Sequence, residues 1–242
     1  MSPLSPGRRA IVFGGSGVVG REVVRALRRA GADVTFTFHT QSELACGLAD
    51  ETGALAIQAD LRQLAQLEEV IGGRDSAGAL PDVMVYCAAI TRAGPIDSAT
   101  GDDWDEVFAV NCRAAHQAAR LLSQRWMQRS VSGDIVLLGA LDARQSLPLP
   151  SIFAASQGAL GAMVMALAKE LGPHGIKTNL LSLGVLGSGL SKDLSGETLE
   201  DFETFSALRR RGTPEEVARA IAWLSLNNTY LNGKTVPING GI

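Results

Sequence analysis

Seven short runs rich in apolar residues alternate along this chain with stretches of helical periodicity, and this alternation limits the possible folds more than any other feature. Strands are expected over 9–13 (RAIVF), 33–38 (DVTFTF), 54–58, 82–87, 134–139, 177–183 and 234–238. Helices are expected over 18–29, 42–52, 62–72, 103–128, 152–171 and 214–226. Strands that are apolar on both faces and separated by helices build a parallel sheet covered on both sides. No linker, repeat or low-complexity segment interrupts the pattern. The expected fold class is therefore α/β: a single doubly wound Rossmann-type domain spanning 1–242, with a seven-stranded parallel sheet flanked by helices.

Charge and composition narrow the function classes. Lys+Arg 22 against Asp+Glu 25 gives a net charge of −3, so no basic field exists to draw in nucleic acid or an anionic membrane. Three cysteines at wide spacing (Cys46, Cys87, Cys112), without a paired His, argue against a disulfide framework or a metal site and suit a cytoplasmic protein. The first ten residues lack the apolar core of a signal peptide. The uncharged stretch 145–168 contains Pro148, Pro150, Ser151, Ser156 and Gln157, and is read as a loop leading into a buried helix too short in apolar run to cross a membrane.

The first strand runs into Gly14-Gly15-Ser16-Gly17-Val18-Val19-Gly20 and then a helix. Such a turn lets backbone N–H groups approach a pyrophosphate at the positive end of a helix dipole. Asp60, after the third strand, stands where adenine is commonly contacted. The second strand ends Phe38-His39-Thr40-Gln41, with no carboxylate to accept from a ribose 2′-OH. His39 and Thr40 suit a 2′-phosphate and so favour NADP(H); they equally suit the N-terminal cap of the next helix.

These features resemble the short-chain dehydrogenase/reductases, in particular the FabG-like 3-oxoacyl-carrier-protein reductases, over nearly the whole length. The likeness rests on Cys87-Ala88-Ala89-Ile90-Thr91-Arg92, on Asn111, on 174–179 (HGIKTN), on 211–218 (RGTPEEVA) and on the closing Asn239-Gly240-Gly241. The resemblance implies an NADP(H) site at Gly14, Ser16, Gly17, Gly20, His39, Thr40, Asp60, Ala88, Asn111 and Ser188. It also implies a Tyr-x-x-x-Lys pair, with a Ser thirteen residues before the Tyr.

Here the chain departs from the family. The Tyr position is Phe153, the Lys position is Gln157, and the Ser position is Ala140; only Asn111 remains of the tetrad. A phenyl ring donates no proton, a neutral amide supplies no charge and a methyl group offers no hydrogen bond. General acid–base catalysis is typically worth ~10²–10⁴-fold, and one oxyanion donor ~10²–10³-fold. The glycine turn also differs, placing Phe13 at the family's Thr and Val18 at its middle Gly, so that Gly14, Gly17 and Gly20 give G-x-x-G-x-x-G. Cys87, Ala89 and Leu183 replace further cofactor-side positions.

No replacement catalytic set is apparent. Asp142 and Arg144 are read as a loop ion pair or as a rearranged acid–base site, His116 as a packed or rim histidine, and Cys112 as a small buried hydrophobe. The chain's two tyrosines, Tyr86 in the fourth strand and Tyr230 before the last, cannot serve the Phe153 position.

The small apolar residues along 154–164 keep the family's assembly surface, although a helix tucked against its own sheet gives a similar pattern. The leading expectation is a non-catalytic subunit in a hetero-oligomer, such as a tetramer, with a catalytically active FabG-like paralogue. That reading resembles the degenerate reductases of aminocoumarin antibiotic pathways, and implies β-hydroxy or β-keto acyl or aminoacyl groups held on a carrier protein. An active, Tyr-independent NADP ketoreductase and a nucleotide-binding regulatory protein are the alternatives.

Overall fold

The computed structural model describes residues 7–92, 94, 96–140 and 149–242. Seven parallel strands form one sheet in the order β3-β2-β1-β4-β5-β6-β7. They are β1 (Arg9–Phe13), β2 (Asp33–Phe38), β3 (Leu55–Gln58), β4 (Val83–Tyr86), β5 (Gly133–Gly139), β6 (Ile176–Leu183) and β7 (Thr235–Ile238). Alternate side chains feed two cores. Ile11, Phe13, Met84, Tyr86, Ile135 and Leu180 face one side, packed with Trp126 and Leu122. Ala10, Val12, Val34, Phe36, Val83 and Val136 face the other, packed with Val23, Leu27 and Ile221. This two-sided burial is why the strands read as nearly continuous apolar runs.

The helices are α1 (Val18–Arg29), α2 (Ser42–Thr52), α3 (Leu64–Ser76), α4 (Gly101–Phe108), α5 (Ala115–Gln128), α6 (Ser151–Leu171), α7 (Gly196–Phe205) and α8 (Pro214–Leu226). Reciprocal capping boxes start α4, from Thr100 and Asp103, and α8, from Thr213 and Glu216.

Three expectations are corrected. The single helix expected over 103–128 is α4, a π-helical segment Ala109–Ala114 and α5 in succession. The widened turn holds Asn111, and such π segments gather at functional positions. Helix α7 was not foreseen; its sequence GETLEDFETF buries only Phe202, too little to show an apolar face. The apolar stretch is also less broken than expected. Pro148 and Pro150 precede α6, and Ser156 and Gln157 are absorbed inside it by hydrogen bonds. Residues Ser151–His174 are thus long and apolar enough to span a bilayer by length and composition, yet Ile152, Phe153, Leu160 and Val164 of α6 are buried in the protein.

The chain passes from β1 to β2 and β3 on one side, then returns to β4 on the other. A crevice therefore opens beyond the carboxyl ends of β1 and β4, where ligands of such sheets bind.

Candidate functional site

Several of the residues expected to carry chemistry, Gly17, Gly20, Ala140, Phe153, Gln157 and Ser188 among them, line that crevice. Gly14 leaves β1 with φ +78°, and a Cβ there would stand 2.8 Å from the Ala88 backbone after β4. A Cβ on Gly15 would meet the Phe36 side chain at 2.5–2.8 Å, and one on Gly20 would lie 2.2 Å from Gly14 O. Gly17 is the N-cap of α1 and has no side chain to cap it. The first N–H groups of a helix lack intrahelical acceptors, so this turn presents donors and a positive dipole end to the crevice. These residues fit the pyrophosphate of a dinucleotide. Gly14, Gly15 and Gly20 are demanded by close packing, whereas a Cβ on Gly17, which lines the cleft, would meet only Gly14 O, at 3.3 Å.

A cleft of about 720 Å³ opens beside this turn, and Gly17, Gly20, Ser188, Phe153, Ile96 and Leu190 are in its wall. Among the described wall residues there is no Asp, Glu, His, Lys, Arg or Tyr. Cys87 is in the wall, and burial pushes its thiol up to about 12, so it is neutral at ordinary pH. Asp142 and Arg144 lie outside the described residues.

Phe153 is 5% exposed, and its ring forms part of the wall together with Ala140. Gln157 is 2% exposed. Its Oε1 accepts from the Ala140 N–H at 3.0 Å, and its Nε2 donates to Ser156 Oγ at 3.2 Å. Ser156 Oγ also accepts from Asn111 Nδ2 at 2.9 Å and donates to Phe153 O at 2.7 Å. Asn111 completes the network by exchanging hydrogen bonds with both Ile90 backbone groups, at 2.9 and 3.0 Å. Asn111 is thus buried behind the cleft, tying the loop after β4 to α6. The serine beside Gln157 is the member of this network that sequence reasoning missed. Its only signal was a polar residue on the inward face of an apolar helix.

The remaining expected contacts are more dispersed. Ser16 is buried within the glycine turn, whereas His39 and Thr40 are exposed beyond β2. Asp60 follows β3, and Arg62 grips both its carboxylate oxygens at 2.8–3.1 Å, holding the carboxyl below its usual range. His39 Nε2 lies 3.8 Å from the same carboxylate. His116 is exposed on α5. Cys112 is buried as expected and also donates its thiol to Ser156 O at 3.3 Å. Tyr86 is core: its hydroxyl donates to Val110 O at 2.6 Å, and burial pushes its phenol up. Tyr230 is 96% exposed. The wall residues Ser195 and Thr198 were not anticipated, because they belong to the N-cap and first turn of the largely polar α7.

Comparison with known proteins agrees with this geometry. Residues 16–242 match the family profile described as Enoyl-(Acyl carrier protein) reductase. The chain is 32% identical over 220 residues to the cyclic-di-GMP-binding biofilm dispersal mediator protein of Escherichia coli (strain K12), covering 90% of each. Among solved structures it is similar to a short-chain dehydrogenase/reductase from Serratia marcescens BCRC 10948, with a TM-score of 0.88, 28% identity and coverage of 99% and 98%. It is also similar to a blue fluorescent protein from a metagenomic library in complex with NADPH, with a TM-score of 0.87, 28% identity and coverage of 98% of each chain. The parallel sheet, its switch-point cleft and these relatives together establish that the chain belongs to the short-chain dehydrogenase/reductase family.

Proposed function

We propose that this chain is a catalytically silent subunit that assembles with an active short-chain reductase paralogue. The pair would interconvert β-hydroxy and β-keto acyl or aminoacyl groups on a carrier protein with NADP(H), in antibiotic-type secondary metabolism. The observation that carries this reading is the cleft wall itself. Phe153 and Ala140 stand there in place of a proton donor and an oxyanion partner. Hydride delivery to a carbonyl builds negative charge on oxygen, and the described wall offers neither an acid nor a cation to receive it.

The dinucleotide end supports a residual role for NADP(H). Gly14, Gly17 and Gly20 keep the pyrophosphate turn, and the similar metagenomic protein was crystallised with NADPH. The outward face of α6 supports assembly: Ala155, Gly158, Ala162, Met165 and Ala166 are small or apolar and exposed. Nearby, α4 carries the stacked pair Trp104 and Phe108, with ring centroids 4.4 Å apart. The carrier-bound substrate class is favoured by the matched family profile, whose description is of an acyl-carrier-protein enzyme.

The test is turnover of a 3-oxoacyl thioester with NADPH by this chain alone, by the paralogue alone and by the two co-purified. Enhanced turnover in the co-purified complex, with none from this chain alone, is expected. Reduction by this chain alone at a rate ordinary for the family overturns the reading and favours a rearranged ketoreductase site. A second reading, a nucleotide-binding regulatory protein, is favoured by the identity to the cyclic-di-GMP-binding relative. Tight binding of cyclic-di-GMP or NADPH, with no effect on any paralogue's turnover, would select it.

A further inference from the structure

The chain carries two Asn-Gly steps, Asn232-Gly233 and Asn239-Gly240, on either side of β7. A glycine after an asparagine leaves its main-chain nitrogen open to approach, and both glycines hold nearly the same φ, +71° and +70°. The two carboxamides are held very differently. Asn232 Oδ1 accepts from the Thr178 N–H at 2.9 Å and its Nδ2 donates to Ala168 O at 3.2 Å, so its two ends are bonded to β6 and α6. Turning it toward the Gly233 nitrogen would leave a part-buried N–H and a carbonyl unpaired. Asn239 Oδ1 instead accepts from the Gly241 N–H at 3.0 Å, an Asx turn whose hydrogen-bonded ring contains the Gly240 nitrogen. Its Nδ2 donates to Ile242 O at 3.3 Å, and both bonds are solvent-exposed.

We infer that Asn239-Gly240 is a self-modification site: the folded chain deamidates there, with water as the co-reactant, and so loosens the segment between α7 and α8, while Asn232-Gly233 is protected. The Gly240 main-chain nitrogen gives up its proton and bonds to Asn239 Cγ. The Cγ–Nδ2 bond breaks and ammonia departs with that proton, leaving a succinimide. Water then opens one C–N bond of the imide. Opening at Cγ gives Asp, and opening at the main-chain carbonyl gives isoaspartate; nothing is oxidised or reduced. The Gly241 N–H donates to the oxygen on which negative charge builds during the attack.

The isoaspartyl product carries an extra methylene in its main chain. Gly240 O accepts from the Leu208 N–H at 3.0 Å, and a Cβ on Gly241 would lie 2.9 Å from Ala207 Cβ, so residues 239–241 clasp the segment between α7 and α8. Asn239 in turn sits close against Gly184, where an added Cβ would meet Asn239 Cα at 2.8 Å. Lengthening the main chain between these two contacts draws Gly240 O away from Leu208.

The full chain is incubated in mildly alkaline buffer, folded and in urea, then cleaved with trypsin, which separates the two sites at Lys234. Fragment masses report each amide-to-acid conversion. In the folded chain Asn239 is expected to convert at least about tenfold faster than Asn232, a barrier difference of about 1.4 kcal/mol. In urea the two are expected to convert at similar rates, because only folding distinguishes them. The Leu208 amide is expected to exchange hydrogen faster as the folded chain ages. In Asn239→Gln, whose longer side chain closes an imide ring far more slowly, that exchange rate should stay constant. Equal conversion of the two sites in the folded chain, an Asn239 that stays intact there, the same disparity in urea, or a Leu208 exchange rate indifferent to conversion overturns the inference.

Discussion

Gln157 Oε1 accepts the backbone N–H of Ala140 at 3.0 Å, so two of the positions that carry chemistry in this family are bonded to each other here. The bond ties the first turns of α6 to the end of β5, beneath the cleft. It converts a site for chemistry into a structural joint, and it makes the joint part of the stability of the fold.

Gln157→Leu should therefore destabilise the chain by about 1–3 kcal/mol, because it leaves the Ala140 N–H without its acceptor. Phe153→Tyr, which adds one hydroxyl at the edge of a cleft, should cost less than about 1 kcal/mol. Urea denaturation of both variants checks the order, and equal losses would contradict it.

Restoring the three groups together should restore chemistry. Ala140→Ser, Phe153→Tyr and Gln157→Lys in one chain should raise NADPH oxidation with a ketone substrate by at least about 10²-fold over Phe153→Tyr alone. Such groups act as a unit, so the single changes should give almost nothing. A folded triple variant with no gain would place the remaining defect in the glycine turn, with Val18 at its middle position.

The two kinds of glycine in that turn should respond differently. Gly20→Ala drives a methyl group to 2.2 Å from Gly14 O and should cost about 3 kcal/mol, the upper end of overpacking. Gly17→Ala meets its nearest neighbour, Gly14 O, at 3.3 Å and should be milder. Its effect should fall on NADPH affinity, since Gly17 is the N-cap of α1 and lines the cleft. Thermal melts with and without NADPH separate the two effects.

At the opposite ends of the strands, Asp134 is 4% exposed and bridges Arg8 at 2.9 Å and Lys177 at 3.0 Å. Asp134→Ala leaves two cations facing each other at the start of β5 and β6. The expected loss is about 2–3 kcal/mol, less than the 3–5 of a fully buried pair because both cations are partly solvated. A shift of the urea midpoint with an unchanged slope would confirm it.

Glu216 links stability to pH. Its side-chain bonds to Arg210, and then its bond to the Thr213 N–H, lower its carboxyl from 4.5 to about 2. A depressed folded-state value means that the contribution is fully present above about 4.5 and is lost as pH falls toward 2. The melting temperature of the unsubstituted chain should therefore fall more steeply than that of Glu216→Gln across this window. Parallel curves would show that the capping box of α8 does not depend on the charge.

Much of the fold was legible because its physics is local. Strands such as Ala10–Phe13 are apolar on both faces, and Gly14, Gly15 and Gly20 have no steric alternative at the turn. Helix α7 was not legible, because Phe202 alone is buried and most of its other residues are polar or exposed. The π segment was also hidden, since 109–114 (AVNCRA) has ordinary helical composition and its extra residue per turn answers to Ile90 and Ser156 from elsewhere.

The sequence by itself determined the doubly wound sheet, the glycine turn and the absence of a Tyr, Lys and Ser at the positions of Phe153, Gln157 and Ala140. Those follow from side-chain periodicity and residue identity, which need no knowledge of contacts. Only the tertiary structure decided what the substituted residues do instead. The bonds of Gln157 to Ala140 and of Asn111 to Ser156 join segments 17 and 45 residues apart. Whether a buried amide is satisfied depends on groups that only folding brings within 3 Å.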